Sequence, residues 1–142
     1  MSASMSLDEV HAFLDEKPGW ITLTTLGRDG YPHSVPIGYF RLGEEVYLGC
    51  RPGTQKVKNI ERNSRVSLSL EAGRTMADIK GIMIQGDARI YTSADDLLRL
   101  GREGARQRGV PEDELPTEPR PNAAYIGVRP RKIISWDYSR EA

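Results

Sequence analysis

Three consecutive runs decide the fold: Trp20-Ile21-Thr22-Leu23-Thr24-Thr25-Leu26, then Gly27-Arg28-Asp29-Gly30, then Pro32-His33-Ser34-Val35-Pro36-Ile37-Gly38-Tyr39-Phe40. The first is rich in Ile, Leu and Thr, the second supplies turn chemistry, and the third is again extended. The passage predicts a β-hairpin, since its turn is too short for the crossover that a parallel pair would need. Within it, Pro36 withholds an N–H from the ladder, which suits an edge or ligand-facing strand, and Gly38 lets a flat molecule approach the backbone. An ordinary edge-strand irregularity accounts for both residues equally well.

Towards the C-terminus, Leu42-Gly43-Glu44-Glu45 is a second turn, followed by a strand from Val46 to Cys50. After the break at Arg51-Pro52-Gly53, Thr54 is placed to cap a helix of about three turns. Val57 and Ile60 face inward on it, with Lys56, Lys58, Glu61 and Arg62 outward. Val66, Leu68 and Leu70 alternate with Ser67, Ser69 and Glu71, and Ile79 to Tyr91 carries Ile82, Ile84, Ala88 and Ile90 at even spacing, so both stretches read as strands. Gly86 implies a bulge or a close backbone approach in the second.

Ser93 and Asp96 open an amphipathic helix with Leu97, Leu98 and Leu100, whose charged later half, Arg102 to Arg108, is expected on the outside. Val110 to Asn122 holds four prolines and reads as a loop that wraps the surface or closes over something. Two strands, Ala123 to Val128 and Lys132 to Asp137, end the chain. At the other end, Ser6-Leu7-Asp8-Glu9 is a capping box for a short helix with Val10, Phe13 and Leu14 on one side, stopped by Pro18-Gly19.

The expected fold class is therefore α+β, mainly β: an antiparallel barrel of about six to seven strands with two or three flanking helices. At 142 residues the chain has the size of one domain, taken as 1–142. Lys plus Arg equals Asp plus Glu at 20 each, so no overall field draws the molecule to nucleic acid or anionic lipid, and any anion site must be local. No apolar stretch is long enough to span a membrane, and the expected location is the cytoplasm. The single cysteine, Cys50, and the two histidines, His11 and His33, make no metal cluster. No acid, base or nucleophile constellation stands out, so no catalytic residue is assigned.

Arg51-Pro52-Gly53-Thr54-Gln55-Lys56-Val57-Lys58-Asn59 is the stretch that carries chemistry. It joins a flexible turn, a hydroxyl at a helix start, free first-turn N–H groups and several cations, which are the parts of a phosphate site. A polar helix with solvated lysines would look the same locally. The Walker spacing is missing, which argues against ATP hydrolysis.

The first hairpin, the GTQKVKN segment, Arg65-Val66-Ser67-Leu68 and Ser135-Trp136-Asp137, taken in order, resemble the pyridoxamine 5'-phosphate oxidase-like split barrels, especially the actinobacterial branch that uses the deazaflavin F420. The resemblance implies a split barrel with the cofactor phosphate at the start of the short helix and the tricyclic ring along the strand after the first hairpin. On that basis Arg51, Thr54, Lys56 and Lys58 would hold phosphate or an acidic tail, to which Arg62 would add. Pro36, Ile37 and Gly38 would lie along the ring, with Cys50 beside the phosphate segment. Trp136 would wall the ring pocket or a dimer interface, although a plain core aromatic fits it equally; Cys50 equally reads as a small buried strand residue. The implied activity is hydride reduction of a small conjugated molecule with F420, or with FMN on the same barrel, by a homodimer whose two chains share each cofactor. A non-catalytic flavin or haem binder is the remaining alternative, with few residues available as a haem ligand.

Overall fold

In the computed structural model, residues 4–141 are described. The hairpin forms as expected: β1 (Ile21–Leu26) pairs with β2 (Pro32–Ile37) along its whole length, from Ile21 opposite Ile37 to Leu26 opposite Pro32. Gly30 takes φ 87° in the turn, and the Gly27 N–H donates to the Tyr31 carbonyl at 2.9 Å. Ile21, Leu23 and Thr25 point inward and are buried.

β3 (Phe40–Leu42), β4 (Glu45–Cys50), β5 (Arg65–Ala72), β6 (Lys80–Tyr91) and β7 (Ala124–Asp137) complete one antiparallel sheet in the order β2-β1-β5-β6-β7-β4-β3. Its edges are β2 and β3, which are consecutive in the chain and separated only by Gly38 and Tyr39. Laid flat, seven strands would hold their edges about 29 Å apart, six spacings of about 4.8 Å. The three Cα–Cα steps from Ile37 to Phe40 reach at most about 11 Å. The sheet must therefore curl until its edges nearly meet, leaving a seam at Gly38-Tyr39. That is a split barrel.

Two expectations about strands are corrected. Pro32 to Phe40 is divided at the seam into β2 and β3, while the two C-terminal strands are one, β7, running through Pro130. A bulge permits this: Gln85 pairs with Lys132 and Gly86 with Pro130, so Arg131 is the extra residue and Pro130 sits where the ladder is already interrupted. Gly86 is required there, because a Cβ on it would lie 2.5 Å from the Arg129 carbonyl oxygen.

The barrel interior is filled by side chains such as Leu23, Leu48, Leu68, Ile82, Ile84 and Ile126, all at most 1% exposed. α1 (Leu7–Glu16) adds Val10, Phe13 and Leu14, and its Ser6–Glu9 capping box is present. The seam residue Tyr39 is anchored to this helix: its hydroxyl donates to the Leu14 carbonyl at 2.6 Å, and burial beside Asp15 and Glu16 holds the phenol proton firmly. α2 (Gln55–Arg62) contributes Val57 and Ile60. α3 (Ala94–Gln107) packs outside the β3-β4-β7 part of the sheet through Leu100, which joins Phe40 and Tyr47, with Tyr91 and Tyr125 at the border. Its charged half is not wholly external, since Gly104 and Ala105 are buried.

Candidate functional site

The Arg51–Lys56 segment links β4 to α2. Gly53 takes φ 78°, and Arg51, Pro52 and Gly53 are exposed. Thr54 occupies the N-cap position but does not cap: its hydroxyl donates back to the Arg51 carbonyl at 3.1 Å. This corrects the expected Thr54 cap and leaves the first turn of α2 without a side-chain partner, open to an acceptor from outside. Lys56 is half-buried and acts electrostatically on Cys50, whose thiol burial pushes up and the Lys56 ammonium partly pulls back. Cys50 packs against the core, which agrees with the strand-residue reading.

Asn59, which the sequence marks only as part of the motif, holds the segment in place. Fully buried, its amide nitrogen donates to Thr25 Oγ1 at 3.0 Å, while its oxygen accepts from Gln55 Nε2 at 2.8 Å and from Arg62 at 3.3 Å. Arg62 also donates to the Leu26 carbonyl. One guanidinium nitrogen of Arg62 is thus used in tying α2 to β1, and the residue still borders the cleft that Lys58 lines. Lys58 is exposed and lies in a shallow cleft with Arg28, Gln55, Glu61 and Arg62.

At the seam lies an open cavity of about 500 Å³. Gly38, Gly49 and Gly104 border it, Trp20 and Tyr125 stand at its sides, and Lys17, Arg108 and Arg120 bring positive charge. A second cleft shares Arg120 and extends to Pro52, so the proline-rich loop lies between the cavity and the Arg51–Lys56 segment. That loop is pinned to α3: Arg102 donates to the Pro116 carbonyl at 2.8 Å, Arg106 pairs with Glu112, and Leu115 is buried.

Of the residues assigned to the ring, Gly38 borders the cavity. Ile37 does not face it, because alternation along β2 turns its side chain to the core, where only its backbone remains available. Pro36 is exposed on β2, an edge strand as expected, and faces outward opposite Thr22. Trp136 is not in the cavity. It stands half-buried on the outer face of β7 across from Gly81, where a Cβ would come within 2.5 Å of the indole. Trp20, Arg108, Arg120 and Tyr125 escape a reading of the sequence as site residues, since they come from separate stretches of chain with no local motif.

The family model described as pyridoxamine 5'-phosphate oxidase matches residues 6–137. The chain belongs to the pyridoxamine 5'-phosphate oxidase family. No curated protein matches this family member in sequence. Among solved structures, a conserved hypothetical protein from Mycobacterium tuberculosis is 26% identical, with TM-score 0.83, covering 96% of this chain and 88% of that one. A protein described as an F420 reductase is 22% identical at TM-score 0.64, covering 85% and 93% respectively. A FAD binding protein from Mycobacterium smegmatis is 18% identical at TM-score 0.65, covering 96% and 97%. The pyridoxamine 5'-phosphate oxidase split barrel is thus the fold of this chain, and it is shared by proteins described as a FAD binding protein and as an F420 reductase. Among the described residues no helix is long and apolar enough to cross a membrane, and no cluster of His, Cys, Asp and Glu could hold a metal ion.

Proposed function

We propose that this protein is an oxidoreductase that binds the deazaflavin F420 and uses it for two-electron reduction of a small conjugated organic molecule. The observation that carries the reading is the open first turn of α2, flanked by half-buried Lys56 and exposed Arg51 and oriented by buried Asn59. Backbone N–H groups and an ammonium in that arrangement fit a phosphate. The backbone of Pro36 and Ile37 would run along the ring on β2, with Gly38 where the ring meets the seam cavity, so that a substrate in the cavity would lie beside the ring. The cofactor supplies the hydride; the chain's own residues bind, orient and exclude water.

FMN offers the same phosphate and is the alternative cofactor. Equilibrium titration at matched salt decides between them: F420 is expected to bind more tightly, through cationic contacts to its acidic tail from Arg51 and Lys58. Tighter FMN binding would overturn the preference. In the same titration Lys56→Ala is expected to weaken binding by roughly 1.5–3 kcal/mol, the range for hydrogen bonds to charged groups, with little loss of stability. An unchanged dissociation constant would remove Lys56 from the site.

The working unit is a homodimer. Thr22, Thr24, Ser67, Ser69, Met83 and Ile134 form an uncharged strip across the outer face of β1, β5, β6 and β7, with Arg65, Glu71 and Lys132 on the same face beyond it, and Ile134 is 39% exposed. α3 covers the Phe40–Tyr47 side instead, and the apolar residues of α1 and α2 go into the barrel interior. A second copy would bury the strip, with Trp136 at its border. Sedimentation equilibrium at micromolar concentration is expected to give a dimer; a monomer binding cofactor at full affinity would show that the interface is not part of the site.

A further inference from the structure

Arginines on and after α3 divide into two groups. Arg99 pairs with Asp96, Arg102 donates to the Pro116 carbonyl, and Arg106 pairs with both Glu103 and Glu112. These hold the helix and its following loop together. Arg108 and Arg120 have no carboxylate or carbonyl partner among the described residues, yet the folded loop brings both to the same cavity. Both also act on the Tyr125 hydroxyl, which they favour in its ionised form while burial keeps it protonated. One phenol donor and two guanidinium groups thus converge from β7, the end of α3 and the proline-rich loop.

Around these donors the walls are flat and apolar. Trp20 is 72% exposed at the cavity side, Phe40 meets Tyr125 edge to face with centroids 6.1 Å apart, and Gly38 and Gly49 keep the floor free of side chains. A Cβ at Gly49 would touch the Tyr125 ring at 3.4 Å. Aromatic walls over glycine suit a planar conjugated body, and about 500 Å³ is within the usual range for a small-molecule site. Unpaired guanidinium groups suit a carboxylate, which they can bind through two parallel hydrogen bonds.

We infer that the seam cavity binds a planar conjugated carboxylic acid, its carboxylate held by Arg108 and Arg120 with Tyr125 as a further donor. Its role as the hydride acceptor rests on the cofactor reading above; the anion site does not. Arg108 and Arg120 are on this view specificity-determining residues, selecting acids over neutral molecules of the same shape.

The test uses the full chain without added cofactor, with 2-naphthoate as the acid probe and 2-naphthamide as its neutral counterpart, followed through tryptophan fluorescence. Naphthoate is expected to quench Trp20 and to bind more tightly than the amide. Arg108→Gln with Arg120→Gln should weaken the acid at least about tenfold, the equivalent of 1.4 kcal/mol for charged hydrogen bonds, and leave the amide unchanged. Arg99→Gln, on the same helix but paired, should change neither. Equal binding of acid and amide, unchanged acid affinity in the double variant, or undiminished quenching in Trp20→Phe would each overturn the site. Titration of the double variant with F420 and FMN separates the sources of the carboxylate. Unchanged affinity for both supports a substrate carboxylate, whereas a loss confined to F420 would overturn it in favour of the cofactor's tail. If wild-type protein binds naphthoate but neither cofactor, the anion site stands and its role as acceptor site fails.

Discussion

Gly86→Val is expected to destabilise the protein by about 3 kcal/mol, at the top of the usual range for overpacking. The first added carbon would lie 2.5 Å from the Arg129 carbonyl oxygen and 2.9 Å from Val128 Cγ1. The side-chain contact can be relieved by rotation, but the carbonyl belongs to the β7 backbone and has no such freedom. Relief therefore requires β6 and β7 to part at the bulge, where Gly86 pairs with Pro130 and the ladder is already missing a donor. These are the two longest strands, and both halves of the barrel hang on their pairing. Denaturant unfolding with an unchanged slope is the measurement. Gly19→Ala, with nothing within 4 Å of the added carbon, serves as control and should stay within about 0.5 kcal/mol. A Gly86→Val midpoint equal to wild type would mean that the bulge opens freely.

Asn59→Ala carries the other large effect, a loss of about 2–3 kcal/mol in stability together with weaker cofactor binding. Its amide supplies the hydrogen bond to Thr25 Oγ1, and both residues are fully buried. Removing it strands a buried hydroxyl, loses the acceptor for Gln55 and opens a small void, each of which costs free energy. Because Asn59 lies one turn after Gln55 and ties α2 to β1, its loss also frees the helix start to shift. Asn63→Ala is a fair comparison: its side chain accepts only from the Arg65 N–H at 3.1 Å near the surface, so its loss should cost under about 1 kcal/mol. Equal effects of the two alanines on unfolding, or an Asn59→Ala protein with wild-type cofactor affinity at a temperature where it is folded, would count against a positioning role for Asn59.

The roles of these two residues are unequally legible in the sequence. A glycine in an otherwise alternating strand has few explanations, so Gly86 by itself signals a bulge or close approach. Asn59 sits among polar helix residues, and nothing nearby indicates that it faces Thr25, 34 positions away. Thr54 misleads for a related reason: a hydroxyl before a helix normally bonds forward, and here the turn at Gly53 sets it within reach of the Arg51 carbonyl instead.

Local patterning accounts for the α+β class, the first hairpin, the inward faces of β5 and β6 and the capped N-terminal helix, because alternation and capping are written within a few residues of each other. The same patterning picks out Arg51–Lys56 as a candidate phosphate segment, which a polar helix with solvated lysines matches locally as well. It cannot reveal that Pro32 to Phe40 crosses from one sheet edge to the other, or that the last two strands are one. Both depend on how the curled sheet closes and on a bulge formed between β6 and β7. The cavity at the seam lies further still from local reading. Trp20, Arg108, Arg120 and Tyr125 belong to separate stretches, and hydrophobic periodicity reports that a face is buried without saying what is brought against it. Their meeting is a consequence of closure: the edges draw together at Gly38-Tyr39, α3 covers one side, and the pinned loop brings Arg120 to the opening.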